Sequence, residues 1–276
     1  MISSFNISSF RCLEQLQLDN LKRANVFYGY NGAGKTTVLK SLMFYFAKQH
    51  VQQFSNLHFW GEPSQVFSFH QVKDIRIEAL HENGLKDSVH HAISSEDEQL
   101  NWQVNGIPMS DVSLDLPFSY YNPIESYSID QAAKHLQIVE ENGYKENLLS
   151  VLRTIESNLQ DIYVKDGILV TKINEMELPF KHSGTGFQRT FKLFSMLFEK
   201  ENVPYFLEVA NQGFHPGLLR AVFRFLHQFS KKCDRQLFFT CLNEELLDHY
   251  LAAFEEDLSI YFVKEGKVNS MKRRFI

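Results

Sequence analysis

The chain has 276 residues, of which 44% are hydrophobic and 22% are charged. This composition excludes a disordered chain, and the length suffices for one large domain or two small ones with a buried core. A formal net charge of -5 gives no overall attraction for nucleic acid, although a local nucleic-acid site stays open. The three cysteines have neither metal-ligand nor disulfide spacing, and no apolar run approaches the ~18 residues of a membrane span. We therefore expect a cytoplasmic protein without membrane association.

The first half of the chain is predicted to be mostly strands around one helix. Alternating apolar residues and turn residues predict strands over residues 2–12, 13–18, 24–28, 66–70, 74–80, 88–93, 102–104 and 118–121. A helical period covers residues 37–46. Asn83-Gly84, between two alternating runs, is a strong signal for a β-hairpin. We therefore expect an antiparallel block of strands in this half.

The second half of the chain alternates helices with strands. Helical periodicity covers residues 130–161 and is divided at Gly143, and a hairpin pattern follows over residues 162–164 and 168–173. After a loop at residues 180–186, the patterns predict helices over 187–200, 218–229 and 244–254, buried strands over 204–210 and 236–241, and a closing hairpin over 258–263 and 268–276. We expect a single composite α/β domain, with a mixed sheet, an antiparallel β block and a helical insertion. Its predicted lobes are residues 1–125, 126–182 and 183–276.

Residues 29–36 read Gly-Tyr-Asn-Gly-Ala-Gly-Lys-Thr and match the phosphate-binding pattern G-x-x-x-x-G-K-[ST]. Glycines let backbone N–H groups approach a polyphosphate closely. Lys35 supplies a positive charge for the outer phosphates, and the Thr36 hydroxyl can ligate Mg²⁺. A buried strand pattern precedes this P-loop and a helix pattern follows it, and a helix N-terminus favours an anion. The sequence therefore predicts a nucleotide-binding loop.

Further stretches carry a family resemblance. Residues 7–11 and 26–29 look like the start "I-x-N-F-R … G-x-N-G-x-G-K-[ST]", and Asn31-Gly32 inside the P-loop is typical of it. Residues 183–189, Ser-Gly-Thr-Gly-Phe-Gln-Arg, look like a signature motif, and residues 213–216, Gly-Phe-His-Pro, resemble "G-L-H-P". Together these stretches resemble the small ATPase heads of the ABC type, the group that contains RecF, SMC and OLD-like ATPases. The resemblance covers nearly the whole chain.

This resemblance implies a P-loop NTPase fold of the ABC-ATPase head type, with ATP and Mg²⁺ as its cofactors. The residues that it assigns to ATP are Arg11, Asn31, Gly32, Ala33, Gly34, Lys35, Thr36 and Thr37, and those at the metal are Thr36 and Glu208. In the family, the signature loop contacts the γ-phosphate of ATP held by a partner head. That role falls here on Ser183, Gly184, Thr185, Gly186 and Gln188. The family also implies a head-to-tail dimer, a separate effector protein, and a role near DNA repair or antiviral defence.

Two departures from the family pattern affect the chemistry. Aligned without gaps to "L-L-I-D-E-x-E-N-G-L-H-P", the chain places Glu208 on the metal-associated aspartate and Val209 on the glutamate that polarises water. Leu242 falls on the switch histidine of "I-I-T-T-H-S". Orienting water needs a hydrogen-bond acceptor, which neither Val209 nor Leu242 provides. A one-residue slip would instead make Glu208 the base. The glutamine of the family's Q-loop has Asn122 as its stand-in.

We therefore interpret the chain as an ATP-binding head that dimerises around ATP and acts as a nucleotide-gated switch or scaffold, with weak or absent hydrolysis. The alternative is an active ATPase of a DNA repair or antiviral defence complex, in which Glu208 or a partner residue positions the water. A P-loop kinase acting on a small metabolite fits residues 29–36, but it leaves residues 183–188 and 213–216 unexplained.

Overall fold

Fifteen strands and six helices make up the part of the chain that the computed structural model describes, namely residues 1–48, 74–93, 100–108, 117–123, 125, 127–208, 214 and 216–271. The strands are β1 (Ile2–Phe10), β2 (Leu13–Leu18), β3 (Ala24–Tyr28), β4 (Asp74–His81), β5 (Lys86–Ile93), β6 (Leu100–Val104), β7 (Ile107–Pro108), β8 (Ser119–Tyr121), β9 (Leu159–Lys165), β10 (Ile168–Ile173), β11 (Met176–Pro179), β12 (Tyr205–Leu207), β13 (Leu237–Cys241), β14 (Leu258–Lys264) and β15 (Lys267–Ser270). The helices are α1 (Lys35–Phe46), α2 (Ile129–Glu141), α3 (Lys145–Leu152), α4 (Thr185–Glu199), α5 (Pro216–Lys232) and α6 (Leu247–Phe254). None of these helices is long and apolar enough to cross a lipid bilayer.

A six-stranded mixed sheet forms the centre of the fold, in the order β15-β14-β3-β13-β12-β8. Strands β14, β3, β13, β12 and β8 run parallel, whereas β15 runs antiparallel to β14. Strands β3 and β13 are continuous apolar runs apart from Asn25 and Thr240, and every residue in them is buried. This is the pattern expected of strands that are covered on both faces.

Alternate side chains of the central sheet belong to two separate hydrophobic layers. Val26, Leu207 and Phe239 pack with helices α2–α6 and with strands β9 and β10. Phe206 and Phe238 point the other way and pack with α1 and the antiparallel sheet. Successive side chains of a strand point to opposite faces, so sequence neighbours on β12 and β13 contribute to different layers. The P-loop helix therefore shares its layer with the antiparallel sheet.

Two antiparallel sheets flank the centre, in the orders β2-β1-β4-β5-β6-β7 and β11-β10-β9. The predicted hairpin at Asn83-Gly84 is confirmed, because β4 and β5 pair on either side of it and Gly84 N donates to His81 O at 2.9 Å. Helices α2 and α3 and the smaller sheet lie in sequence between β8 and α4. The structure thus confirms the predicted α/β class, with its mixed sheet, antiparallel block and helical insertion.

Several predicted element ends are wrong. The first strand ends at Phe10 and not at residue 12, because Arg11 and Cys12 form the β1–β2 turn, with Arg11 at φ +55°. The P-loop helix begins at Lys35, two residues before its predicted start. The helical pattern predicted to residue 161 ends at Leu152, and Leu159 is instead the first residue of β9, buried against the helices.

One strand was not predicted, and some predicted strands cannot be compared with the structure. Strand β11 was not predicted, because its residues are mostly exposed and carry no buried alternation. The predicted strand over residues 66–70 lies outside the described residues. So do the ends of the strands predicted over 204–210 and 268–276. The division into three lobes stays a prediction.

Arg235 fixes the β8 edge of the central sheet to helix α4. Its side chain is fully buried. Its guanidinium donates to Ser119 Oγ at 2.8 Å and to three carbonyl oxygens, those of Val203, Met196 and Leu197. Burial lowers the pKa of Arg235 to about 10, so the group stays charged at neutral pH. A buried charge needs all of these acceptors, and β8 is therefore held in one position.

Gly266, in the turn of the β14–β15 hairpin, is predicted to be essential for the fold around the P-loop. It lies at φ +74°, and a Cβ there would overlap the carbonyl oxygen of Cys12. Gly266→Ala should lower the free energy of unfolding by the left-handed strain of about 1 kcal/mol and by about 1–3 kcal/mol more for the overlap. Urea unfolding measures both contributions.

Gly167→Ala is the matched control for this prediction. Gly167 occupies the same place in the β9–β10 hairpin at φ +76°, and a Cβ there meets nothing within 4 Å. The free energy of unfolding of this variant should therefore fall by the strain of about 1 kcal/mol alone. Equal losses for the two variants would contradict the close contact between the hairpin and the Cys12 turn.

Candidate functional site

The P-loop connects β3 to α1 through two glycines with positive φ angles. Gly32 lies at φ +76°, and Gly34 lies at φ +103° as the N-cap residue of α1. Gly34 has no side chain to cap this helix, and within the described part of the chain no side-chain cap is present. A helix N-terminus of this kind favours an anion at its first amides.

The β14–β15 hairpin and the β1–β2 turn support the loop from behind. Gly266 N donates to Ala33 O at 3.1 Å, and Cys12 Sγ lies 3.8 Å from Thr37 Oγ1. A Cβ placed on Gly34 would come within 3.6 Å of both Cys12 Sγ and Gly266 Cα. The loop therefore has a fixed backing formed by residues from both ends of the chain.

Lys35 is held over the loop. It is only 6% exposed, and its Nζ donates to Tyr30 O at 2.7 Å. Burial lowers the pKa of Lys35, while the nearby Cys241 and Glu208 act in the opposite direction. An ammonium with so little contact to water is poised to exchange its loop carbonyl for a phosphate oxygen.

Glu208, directly after β12, is joined to the P-loop. Its Oε1 accepts a hydrogen bond from Thr36 Oγ1, and its Oε2 accepts one from the hydroxyl of Tyr120 on β8. Its backbone N donates to Tyr121 O at 2.9 Å, so the residue is held through its main chain as well as through its carboxylate. Leu207, which would occupy the metal position after a one-residue slip, is fully buried in the helix-side layer.

The oxygen atoms of Thr36 and Glu208 suit Mg²⁺. Hydroxyl and carboxylate oxygens are hard ligands, and Mg²⁺ on a nucleotide takes one or two of them from the protein and the rest from phosphates and water. Among the described residues, no group of three or more His, Cys, Asp and Glu side chains has the arrangement of a metal site. A Mg²⁺ site that is shared with a nucleotide fits this pair of residues, because phosphates and water supply the other ligands.

The signature segment lies at the start of α4. Gly184 is the N-cap residue of that helix, and the four residues Ser183–Gly186 are half-buried or exposed. Gln188 folds back, and its Nε2 donates to Ser183 O at 2.8 Å and to Lys181 O at 3.3 Å. In this conformation Gln188 shapes the loop. Among the described residues, the hydrogen bonds of the segment stay within residues 180–190, and none of them reaches the P-loop.

The remaining predicted residues are placed as follows. Arg11 lies in the β1–β2 turn, where burial lowers its pKa, and Asn31 is exposed in the P-loop. Asn122 Nδ2 lies 3.4 Å from the Tyr120 hydroxyl. Leu242 is 38% exposed and follows Cys241, whose carbonyl accepts from Gly29 N at 3.2 Å, so it stands beside the P-loop. Val209 and residues 213 and 215 lie outside the described residues.

Two residues that support the candidate site were not predicted from the sequence. They are Tyr120 on β8 and Lys192 on α4. Lys192 is 6% exposed, and its Nζ donates to Asn122 O at 2.7 Å and to Glu125 O at 3.3 Å. A lysine inside an apolar helix face was the available signal, whereas nothing in the sequence distinguished Tyr120 from a core residue.

Comparisons with known proteins give consistent results. The family model described as "AAA domain" matches residues 4–261. A search of curated proteins found no significant match. The SMC head bound to the C-winged helix domain of ScpA superimposes with a TM-score of 0.67 at 12% identity, over 99% of both chains. The SMC head domain from Thermotoga maritima gives 0.61 at 12% identity, over 98% of this chain and 99% of that one. RecF with ATP, of the RecFOR pathway, gives 0.58 at 12% identity with the same coverage.

The cysteines offer a chemical test of this geometry. Cys12 is exposed beside the P-loop, whereas Cys233 and Cys241 are buried. Burial raises the pKa of the Cys241 thiol to about 11 and raises that of Cys233, so little reactive thiolate forms at pH 8. Iodoacetamide should therefore add one group to the native protein, and intact mass spectrometry should count it.

Cys12→Ser is the control for this experiment. That variant should take up no label in the native state, and both proteins should label fully in denaturant. Rapid labelling of two or three thiols in the native protein would contradict the burial of Cys233 and Cys241.

Proposed function

The chain belongs to the AAA domain family and has the fold of an ABC-type ATPase head of the RecF and SMC group, and from this premise we propose that it binds ATP at the P-loop. The observation that carries the proposal is the convergence of Lys35, Thr36 and Glu208 at the N-terminus of α1. Lys35 would bind the outer phosphates, and backbone amides of the P-loop would surround them. Thr36 and Glu208 would hold Mg²⁺, which when bound neutralises phosphate charge.

The same premise supports a head-to-tail dimer as the active form. Residues 183–186 form a helix N-terminus in which Gly184 is exposed and Gly186 is half-buried, and such an N-terminus favours an anion such as a phosphate. A second copy's P-loop would supply that phosphate, so that each ATP lies between two chains. Contacts that exist only in the closed dimer make ATP shift the equilibrium from monomer to dimer.

The site is better suited to holding ATP than to hydrolysing it. Both oxygens of Glu208 already accept hydrogen bonds, from Thr36 and Tyr120, which supports a role at the metal over a role as general base. Leu242, at the position of the switch histidine, is partly exposed and has no polar group to orient water. With Val209 at the usual position of the base, we infer slow or absent turnover.

A nucleotide-gated head of this kind needs a protein that reads its state. One solved SMC head is bound to a domain of ScpA, and RecF is described as a recombination mediator. We propose a separate effector protein for this chain, in a process close to DNA repair. Binding of duplex DNA would then be a property of the dimer or of the effector.

Analytical ultracentrifugation with and without Mg²⁺ and ATP tests the proposal. Wild type should shift from monomer to dimer when ATP is added. Lys35→Ala should bind ATP at least about 100-fold more weakly and stay monomeric, because it loses a charge-assisted contact to phosphate. Ser183→Arg should bind ATP as wild type does and yet stay monomeric, because a bulky cation blocks the facing surface.

Two exposed replacements serve as controls. Lys134→Ala on α2 and Ser150→Arg on α3 make the same chemical changes at exposed positions on other helices, and both should behave as wild type. ATP binding that survives in Lys35→Ala would contradict the P-loop site. An ATP-independent oligomeric state in wild type would contradict the gated dimer.

A further inference from the structure

Glu208 is held by two side chains, one on each oxygen. Thr36 Oγ1 donates to Oε1, and the Tyr120 hydroxyl donates to Oε2. We propose that Tyr120 is a positioning residue, which fixes the Glu208 carboxylate so that Oε1 faces Thr36 and the Mg²⁺ of bound ATP. This inference rests on the proposed function, and it assigns a role to a residue outside the P-loop and the signature segment.

The pairing of β8 with β12 brings the two side chains together. Tyr120 lies opposite Phe206 and Tyr121 opposite Leu207, and the bond from Glu208 N to Tyr121 O extends this parallel ladder by one residue. Side chains alternate along a strand, so Phe206 and Glu208 point to the α1 side. Tyr120 packs against the layer on that side, which contains α1. The register of the two strands therefore brings the Tyr120 hydroxyl to the Glu208 carboxylate.

The strand that carries Tyr120 is itself fixed. Ser119 accepts a hydrogen bond from the buried Arg235, and Phe118 packs edge-on against Phe206 with ring centroids 5.5 Å apart. Lys192 from α4 holds the carbonyl of Asn122, two residues beyond Tyr120. A tyrosine ring on such a strand has little freedom, which is what a positioning group requires.

Glutamate needs this support more than aspartate does. Its side chain has one more rotatable bond, so an unsupported carboxylate would sample orientations in which neither oxygen faces Thr36. A hydrogen bond from a neutral hydroxyl to a carboxylate is charge-assisted and strong.

Tyr121 provides a matched control on the same strand. It is fully buried and follows Tyr120 directly, but its side chain points to the helix-side layer. Its hydroxyl has no hydrogen-bond partner in the described part of the chain. Tyr121→Phe therefore removes the same atom from the same strand without touching Glu208.

The experiment measures the dissociation constant of a fluorescent ATP analogue, with Mg²⁺ and with EDTA, for wild type, Tyr120→Phe and Tyr121→Phe. Wild type should bind more tightly with Mg²⁺. Tyr120→Phe should weaken binding in Mg²⁺ about 10–100-fold, the usual effect of removing a partner of a metal ligand, and leave the EDTA value unchanged. Tyr121→Phe should match wild type in both conditions.

A double-mutant cycle then tests whether Tyr120 acts through Glu208. Glu208→Gln should lose most of the Mg²⁺ effect, and adding Tyr120→Phe to that variant should change the dissociation constant by less than about 2-fold. An undiminished effect of Tyr120→Phe in the Glu208→Gln background would overturn the inference.

The outcomes separate this inference from the proposed function. If wild type binds no nucleotide, the proposed function fails and the inference fails with it. If wild type binds with Mg²⁺ and Tyr120→Phe equals Tyr121→Phe, the inference alone is overturned. A loss for Tyr120→Phe that is equal in Mg²⁺ and EDTA would show a general structural role and would also overturn it.

Discussion

The carboxylate of Glu208 joins three parts of the fold. It accepts from Thr36 on the P-loop helix and from Tyr120 on an edge strand, while its own backbone extends the pairing of β12 with β8. Such donors stabilise this half-buried carboxylate, because charge-assisted hydrogen bonds replace part of the water that it loses. The position of α1 relative to the central sheet is therefore coupled to this one side chain. A metal ion bound by Thr36 would also contact the Glu208 carboxylate, and so would bind where α1 meets the central sheet.

The loop itself depends on contacts between distant parts of the chain. Gly266 and Cys12 stand behind Gly34, and the carbonyl of Cys241 accepts from Gly29. Residues near both ends of the chain thus shape the cradle that the P-loop pattern only begins to define. Lys35 is nearly buried within it and is already held by a loop carbonyl. Such preorganisation lowers the conformational cost of binding a polyphosphate.

Much of this arrangement could be predicted from the sequence. Strands β2, β3 and β10 have their predicted bounds, because alternation and turn residues define them locally. The P-loop could be predicted because its pattern is a short continuous run of residues. The end of α3 could not be predicted, because Leu159 continues the helical spacing after the helix has ended and no capping residue marks the change. The contact of Tyr120 with Glu208 spans 88 residues and depends on the pairing of two short strands, which no local pattern specifies.

The central claim is that the protein binds ATP and hydrolyses it slowly or not at all, and following the bound nucleotide over time tests it most directly. Wild type loaded with radiolabelled ATP and Mg²⁺ would be separated from free nucleotide, and the bound fraction analysed over hours, with Lys35→Ala as the control for binding. The account predicts that the nucleotide stays ATP for most of that time, because neither Val209 nor Leu242 has a polar side-chain group that can orient water. Rapid conversion to ADP in wild type, absent from the control, would contradict it and would show that another group positions the attacking water.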